Sequence, residues 1–163
     1  MSGPVVGIVM GSDSDWPVVQ KAADTLKAFG VAYEVRVMSA HRTPDVTCEY
    51  AATAAGRGLK VIIAAAGLAA HLGGVVAAHT VLPVIGIPMP GGPLNGLDAL
   101  YATVQMPGGI PVATVGIGNA VNAALLAVQI LGTADETLRQ KFLDHKAAMR
   151  RNVIEADEKL RSN

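Results

Sequence analysis

Five short apolar runs are spaced along the chain and separated by stretches that contain glycine, proline and polar residues. They span residues 5–10, 31–38, 59–66, 83–87 and 112–115. Runs of this length and composition are typical of parallel strands that are covered on both faces. Most of the stretches between them carry apolar residues at helical spacing, so strands and helices alternate. This order predicts an α/β fold, a three-layer α/β/α sandwich built on a flavodoxin-like parallel sheet.

Two of the predicted helices have clear signals at their ends. Asp15 lies two residues before Pro17, and Thr43 lies directly before Pro44. Proline is favoured in the first helical turn, so we expect Asp15 and Thr43 to be N-cap residues. Gly30 is expected to end the first helix in the left-handed conformation that suits glycine.

The last two predicted helices differ in character. Residues 119–131 are apolar almost all round, with Gln129 as the main exception, which is typical of a buried helix. Residues 133–161 form a long, charged and amphipathic segment that no strand follows. We therefore predict a single α/β domain over residues 1–163, in which the C-terminal helix at 133–163 packs on a neighbouring subunit.

Composition adds expectations about partners and location. Of the 163 residues, 51% are hydrophobic and only 16% are charged. So few charged residues cannot cover the surface of a monomer of this size, and we expect apolar surface to be buried between subunits of a homo-oligomer. Zero formal net charge and 4% aromatic residues argue against nucleic acid as a partner. No apolar stretch approaches the roughly 18 residues of a membrane span, so we expect no membrane partner. The single cysteine, Cys48, allows no intrachain disulfide and favours the cytoplasm.

A polar turn follows the first predicted strand, where residues 11–15 read Gly-Ser-Asp-Ser-Asp. The hydroxyls of Ser12 and Ser14, with free N–H groups at a helix start, suit a phosphate. Two aspartates would repel phosphate, so at least one should face elsewhere, for example toward sugar hydroxyls. A capped turn without a ligand explains the segment equally well. Neither the Gly-Lys-Ser/Thr of a P-loop nor a Gly-x-Gly-x-x-Gly motif occurs there.

A second polar turn, Ser39-Ala40-His41-Arg42, follows the next strand. Arginine offers a planar fork for phosphate, and histidine is the side chain best suited to moving a proton near neutral pH. Ligands bind parallel α/β sheets at the carboxyl ends of the strands, so a solvated surface pair is the weaker interpretation. His71 follows the third strand among small apolar residues, where a structural role explains it as well as a ligand contact does.

The remaining candidates are weaker. His79 and Cys48 fall inside predicted helices, where packing roles are expected, and His145 falls in the charged terminal helix, where we expect it to be solvated. No cluster of His, Cys, Asp and Glu has metal-ligand spacing, so no metal is expected. The Gly- and Pro-rich loops 86–96 and 105–111 are either a dry wall over a ligand or rigid connectors at a subunit interface.

Six motifs extend the two polar turns along nearly the whole chain. They are Gly-Ser-Asp-Ser-Asp-Trp at 11–16, Ser-Ala-His-Arg-Thr-Pro at 39–44, Ala-Ala-His-Leu at 69–72, Leu-Asn-Gly-Leu-Asp at 94–98, Gln-Met-Pro-Gly-Gly at 105–109 and Asn-Ala-Ala-Leu-Leu-Ala at 122–127. In order and spacing, this set resembles the N-carboxyaminoimidazole ribonucleotide mutase family of purine biosynthesis.

The resemblance implies a cofactor-free enzyme that acts on a ribonucleotide as a homo-octamer. The implied reaction moves a carboxylate from the exocyclic nitrogen of an aminoimidazole ribonucleotide to a ring carbon. It runs through decarboxylation, trapping of carbon dioxide in a closed site, and attack by the ring carbon. Carried over by position, His41 is the general acid/base. The implied substrate-binding residues are Ser12, Asp15 and Arg42 at the ribose phosphate end, with Ser39, His71, Gly11, Gly67 and Leu72 elsewhere in the site.

The chain departs from the family pattern in the third turn. The family usually has Ala-Gly-Ala-Gly-Gly-Ala-Ala-His there, whereas residues 64–71 read Ala-Ala-Ala-Gly-Leu-Ala-Ala-His. Leu68 stands at one of the two replaced glycines. A positive φ would strain this leucine, and an ordinary φ would not. Gly73 stands where proline is common, and residues 118–122 form a shorter stretch than in many relatives, which leaves the start of the following helix open.

Three other functions stay open. The nearest is a carboxylase that uses aminoimidazole ribonucleotide and free carbon dioxide, although that branch tends to carry lysine in place of Arg42. A flavodoxin-like module that binds a phosphate ligand or a flavin would need aromatic residues for stacking, which are scarce. A phosphoacceptor domain using Asp13 or Asp15 would need a lysine after the last strand, and none follows residues 112–115 directly.

Overall fold

Residues 3–162 are described by the computed structural model, and they form five strands and six α-helices. The strands are β1 (Val6–Met10), β2 (Tyr33–Val37), β3 (Val61–Ala66), β4 (Val84–Pro88) and β5 (Ala113–Thr114). The helices are α1 (Trp16–Phe29), α2 (Pro44–Ala54), α3 (Leu72–His79), α4 (Leu97–Val104), α5 (Ala120–Gly132) and α6 (Glu136–Arg161), and a short 3-10 helix, Asp13–Asp15, precedes α1. None of the helices within 3–162 is both long enough and apolar enough to cross a membrane.

The sheet is parallel throughout, with the strand order β2-β1-β3-β4-β5. This is the flavodoxin-like order, and it confirms the predicted fold class. Right-handed crossovers place α1 on one face of the sheet and α2, α3 and α4 on the other. Met10 pairs with Val37 on one side and Ala65 on the other, and Ala66 pairs with Pro88. The segments that follow β1 to β4 therefore begin at one edge of the sheet.

Two glycines in the strands let helices pack directly on the sheet. A Cβ atom at Gly7 in β1 would lie 2.2 Å from the hydroxyl of Tyr50 in α2. A Cβ atom at Gly86 in β4 would lie 2.3 Å from the Cγ2 methyl of Thr103 in α4. Both Tyr50 and Thr103 are buried, so any larger residue at either glycine would push a helix off its strand.

The helix ends agree with the predictions only in part. Gly30 ends α1 with a φ of 75°, as predicted. Asp15 and Thr43 do occupy the N-cap positions of α1 and α2, but neither side chain makes a capping hydrogen bond. The predicted capping roles are therefore wrong. Ser12 caps the short 3-10 helix instead, because its hydroxyl accepts a hydrogen bond from the amide of Ser14.

The chain consists of two compact units, one up to residue 127 and one from residue 128. In the first unit, α5 is held at its start by Asn119, whose side-chain oxygen accepts a hydrogen bond from the amide of Asn122. Val121 is exposed, so the predicted burial of this helix on all sides is wrong within one chain. The buried hydrophobic residues of this helix are Ala120, Ala123, Ala124, Ala127 and Val128.

The second unit contains the charged helix α6. It begins as a capped helix, because the Asp135 carboxylate accepts a hydrogen bond from the amide of Leu138. None of its residues is buried. Several of its large hydrophobic side chains are exposed: Leu143, Met149, Val153, Ile154 and Leu160.

The third turn shows how the chain accommodates its departure from the family pattern. The amide of Ala70 donates to the carbonyl of Gly67 at 3.0 Å, which closes a turn with Leu68 in second place. Leu68 has a φ of 55°, in the left-handed region that favours glycine at such a position. This leucine is therefore strained by about 1–2 kcal/mol.

Candidate functional site

A cavity of about 710 Å³ lies at the carboxyl edge of the sheet. It is lined by the segments that follow β1, β2, β3 and β4, which is where ligands bind in this fold. Because β2 neighbours β1 and β3 neighbours β4, two polar segments lie side by side and two apolar ones lie beside them. The lining residues are Gly11, Ser12, Ser14, Asp15, Ser39 to Arg42, Ala66 to Leu72 and Met89 to Gly92.

The first turn presents a pair of linked hydroxyls. The Ser14 hydroxyl donates to the Ser12 hydroxyl at 2.8 Å, and the Ser12 hydroxyl donates to an Asp13 carboxylate oxygen at 3.2 Å. Ser12, Ser14 and Asp15 line the cavity, whereas Asp13 lies outside its lining. The turn therefore offers hydroxyls and one carboxyl to a ligand.

Among residues 3–162, Asp15 is the one acidic side chain in the cavity lining. Burial raises the pKa of its carboxyl, a hydrogen bond from the Ser12 backbone lowers it in part, and the charge of Asp13 raises it again. The net effect is a raised pKa. This carboxyl therefore holds a proton more readily than a free one.

The second turn is held by its own side chains. The Ser39 hydroxyl accepts hydrogen bonds from the amides of His41 at 3.3 Å and Arg42 at 3.2 Å. The Thr43 hydroxyl accepts a hydrogen bond from the amide of Ser39 at 2.9 Å and donates one to the carbonyl of Ser39 at 3.2 Å. Ser39 and Thr43 thus fix the backbone that carries His41 and Arg42, which accounts for the absence of a Thr43 cap on α2.

Arg42 connects the two polar turns. Its Nη2 atom donates to the carbonyl oxygen of Gly11 at 2.6 Å. A guanidinium has five N–H donors, so one bond to Gly11 orients the group and leaves donors for an anion. The positive charge of Arg42 lies in the same lining as the Ser12 and Ser14 hydroxyls, an arrangement that suits a phosphate.

His41 and His71 form a pair inside the cavity. His41 Nε2 lies 2.7 Å from His71 Nδ1, and the two rings are nearly perpendicular, at 82° with centroids 4.9 Å apart. A hydrogen bond between two ring nitrogens needs one proton, so one ring donates and the other accepts. The ring tautomers decide which histidine donates, and the bond fixes the position of both rings in the cavity.

The apolar half of the lining is formed by the third turn and the segment after β4. The amide of Met89 donates to the carbonyl of Ala66 at 2.8 Å, which extends the strand pairing by one step. A Cβ atom at Gly67 would lie 3.5 Å from Met89 Cβ, and one at Gly92 would lie 2.5 Å from Leu68 Cδ2. The two segments therefore meet as a continuous wall, and glycine at 92 leaves room for Leu68.

All nine residues predicted for the site line this one cavity, although their chemical roles stay predictions. Leu68 and residues 89–92 also line it and were not predicted as site residues. The composition of loop 86–96 was the available signal, and it allowed an interface connector equally well. Loop 105–111 contributes nothing to the lining. Within residues 3–162, no group of three or more His, Cys, Asp and Glu could hold a metal ion.

The fold and the cavity define a flavodoxin-like α/β protein with a phosphate-suited site that contains a histidine pair. The family model described as AIR carboxylase matches residues 5–152, and the chain belongs to this family. The N5-carboxyaminoimidazole ribonucleotide mutase of Thermotoga maritima is 55% identical over 157 residues, which are 96% of this chain and 92% of the relative. The protein of the same name from Bacillus subtilis is 54% identical, over 96% of this chain and 98% of its own.

A solved structure agrees with these relatives. The crystal structure of Treponema denticola PurE superposes with a TM-score of 0.85 at 34% identity, covering 96% of this chain and 98% of that one. The resemblance drawn from the six sequence motifs is therefore confirmed at the level of the family.

Proposed function

We propose that the protein catalyses the reaction for which its mutase relatives are named. It converts N5-carboxyaminoimidazole ribonucleotide to 4-carboxy-5-aminoimidazole ribonucleotide, without a cofactor, in the de novo synthesis of IMP. The observation that carries the proposal is the position of His41. Its ring lies in the cavity between phosphate-suited turns and small apolar residues, and is held 2.7 Å from His71.

The polar turns bind the ribose phosphate end of the substrate. Arg42, oriented by its bond to Gly11, pairs with the phosphate, and such charged hydrogen bonds contribute about 1.5–3 kcal/mol. The Ser12 hydroxyl adds a neutral contact. Asp15, whose pKa is raised by burial, accepts from the ribose hydroxyls instead of facing the phosphate.

His41 moves the proton that the isomerisation requires. When the carbamate C–N bond breaks, its electron pair returns to the exocyclic nitrogen, which gains a proton as carbon dioxide forms. The ring carbon then attacks carbon dioxide and loses its own proton. One proton is gained and one is lost, so a single acid/base group ends in its starting state. His71 holds the His41 ring in position for both transfers.

The small apolar residues around the third turn hold the carbon dioxide. Gly67 and Leu72 line this part of the cavity together with alanines. Carbon dioxide has no charge for the protein to bind, so it is retained by excluding water and closing the space around it. The polar turns thus bind the ribose phosphate, and the apolar segments retain the carbon dioxide.

The working form we propose is a homo-octamer in the cytoplasm. The exposed apolar side chains of α6 support the packing of residues 133–163 on a neighbouring subunit. Cys48 is a free thiol, as is usual in a reducing compartment. Light scattering should give a mass eight times the 16.7 kDa of one chain, and a monomer would contradict the assembly.

A carboxylase that uses free carbon dioxide is the second candidate, because the matching family model carries that description. Purified protein should be incubated briefly with N5-carboxyaminoimidazole ribonucleotide and, separately, with aminoimidazole ribonucleotide plus carbon dioxide. Conversion of the carbamate faster than its spontaneous decay supports the mutase. Conversion of the second mixture alone supports the carboxylase. No turnover of either, in a yellow preparation, would favour a flavodoxin-like binding module.

A further inference from the structure

Leu68 lines the cavity without a part in the chemistry described above. We infer that Leu68 is a positioning residue that closes the apolar wall of the cavity and retains the carbon dioxide released from the substrate. The inference rests on the proposed mutase function, since only a reaction that passes through free carbon dioxide needs such closure.

The backbone of Leu68 is the first observation. Its φ of 55° is a conformation that glycine adopts freely and leucine does not. Strain of this kind persists only where the surroundings impose it, and it concentrates at functional sites. The side chain is 57% exposed, so burial in the hydrophobic core does not explain why a leucine stands there.

The contact made by the side chain is the second observation. Leu68 Cδ2 lies 2.5 Å from the place where a Cβ atom of Gly92 would be. Gly92 has a φ of 65° and lacks a side chain, so it receives the isobutyl group of Leu68. The Gly92 segment is itself fixed, because its carbonyl accepts the amide of Asn95 and the carbonyl of Gly91 accepts the amide of Gly96. Leu68 therefore fills the gap between two backbone segments that line the cavity.

The position of Leu68 relative to the histidine pair is the third observation. Leu68 and His71 belong to the same turn, three residues apart, and both line the cavity. The φ of 55° at Leu68 and the hydrogen bond from Ala70 to Gly67 set the path of this turn. One short segment thus carries the group that orients His41 and the group that closes the wall. A loss of the Leu68 side chain opens the wall and leaves the histidine pair in place.

Isotope retention measures this closure directly. The substrate carries ¹³C in its carbamate carboxylate, the buffer contains unlabelled bicarbonate, and the ¹³C content of the product is measured by mass spectrometry. Free aminoimidazole ribonucleotide is measured in parallel, and both values are corrected for decay without enzyme. The variants are Leu68→Gly, which suits the positive φ and should fold, Leu68→Ala, and Leu68→Met, which restores the volume. Val81→Ala is the control, because Val81 is exposed and lies outside this cavity.

We expect the wild-type protein, Leu68→Met and Val81→Ala to keep the label in the product. In Leu68→Gly and Leu68→Ala, loss of label and release of aminoimidazole ribonucleotide should rise several-fold, with KM little changed. Full retention of label in folded, active Leu68→Gly or Leu68→Ala would overturn the role of Leu68 alone. A wild-type protein that does not convert the carbamate would overturn the proposed function, and the inference with it.

Discussion

His41 Nε2 and His71 Nδ1 lie 2.7 Å apart, although their segments follow strands β2 and β3, which are not neighbours in the sheet. Strand β1 lies between those two strands, so the side chains meet beyond its end, inside the cavity. The pair joins the polar turns that suit a phosphate to the apolar wall. The proposed proton transfer takes place at this junction.

Replacing His71 tests whether it orients His41. We expect His71→Asn to lower kcat about ten- to a hundredfold, because a misplaced acid/base group loses proton-transfer geometry, while KM changes little. His79→Asn is the matched control, since the His79 ring contacts the carbonyl of Val75 and lies outside the cavity lining. Steady-state kinetics of both variants decide the point, and a wild-type kcat in His71→Asn would refute the orienting role.

Replacing Arg42 tests the phosphate contact. Arg42→Ala removes a charged donor group, so we expect KM to rise about ten- to a hundredfold with a smaller effect on kcat. Arg42→Lys keeps the positive charge but lacks the planar fork, so its KM should lie between those of the wild type and Arg42→Ala. Arg57→Ala serves as the control, because Arg57 pairs with Glu34 away from the cavity. An unchanged KM in Arg42→Ala would show that the phosphate binds elsewhere.

We expect the Asp15 carboxylate to lower the stability of the fold at neutral pH, although it contributes to nucleotide binding. A carboxyl whose pKa is raised on folding stabilises the fold fully below its ordinary value of 3.8, and this contribution is lost as the pH rises through the folded value. At pH 7 we therefore expect Asp15→Asn to be more stable than the wild type by under about 1 kcal/mol, since water screens the half-buried carboxyl. The difference should vanish at pH values below 3.8.

Thermal unfolding at the two pH values measures this effect, and nucleotide titration of the same variant measures binding. Affinity should fall because the neutral amide oxygen of asparagine accepts more weakly from the ribose hydroxyls than a carboxylate does. A variant that is less stable than the wild type at pH 7 would contradict the account of Asp15.

The Glu34–Arg57 ion pair should stabilise the fold in the opposite pH range. Burial raises the pKa of Glu34, but several opposing effects, the largest of which is the hydrogen bond from Arg57 at 2.7 Å, lower it below 4.5. The stabilisation is thus present above pH 4.5 and is lost as the pH falls through the folded pKa. We expect Glu34→Gln to lower the free energy of unfolding by about 0.5–1 kcal/mol at pH 7. Urea titrations should show a smaller difference in acid; an equal loss at both pH values would exclude the ion pair as its source.

Much of the fold could be predicted because local pattern and tertiary structure agree. The apolar run at 59–66 contains strand β3, Val61–Ala66, and Gly30 ends α1 as expected. The capping hydrogen bonds predicted for Asp15 and Thr43 are wrong because short polar side chains have several hydrogen-bond partners within reach. Thr43 bonds to Ser39 across its own turn instead of capping α2, a choice that depends on the path of the second turn.

The sequence predicts where the site lies in the fold, but not the contacts between its side chains. Parallel topology places strand ends at one edge, which brings His41, Arg42 and His71 into one cavity. Their contacts depend on positions that no local pattern encodes, since 30 residues separate the two histidines. The sequence does not determine the φ of Leu68 for the same reason, because its partner Gly92 belongs to a different segment.

The turnover and nucleotide affinity of His41→Asn test whether His41 is the acid/base group of the reaction. Asparagine keeps a polar side chain on a turn held by Ser39, but it cannot donate and take back a proton. We expect conversion of N5-carboxyaminoimidazole ribonucleotide to stop while the nucleotide still binds with nearly wild-type affinity. Turnover of His41→Asn at the wild-type rate would contradict this role of His41.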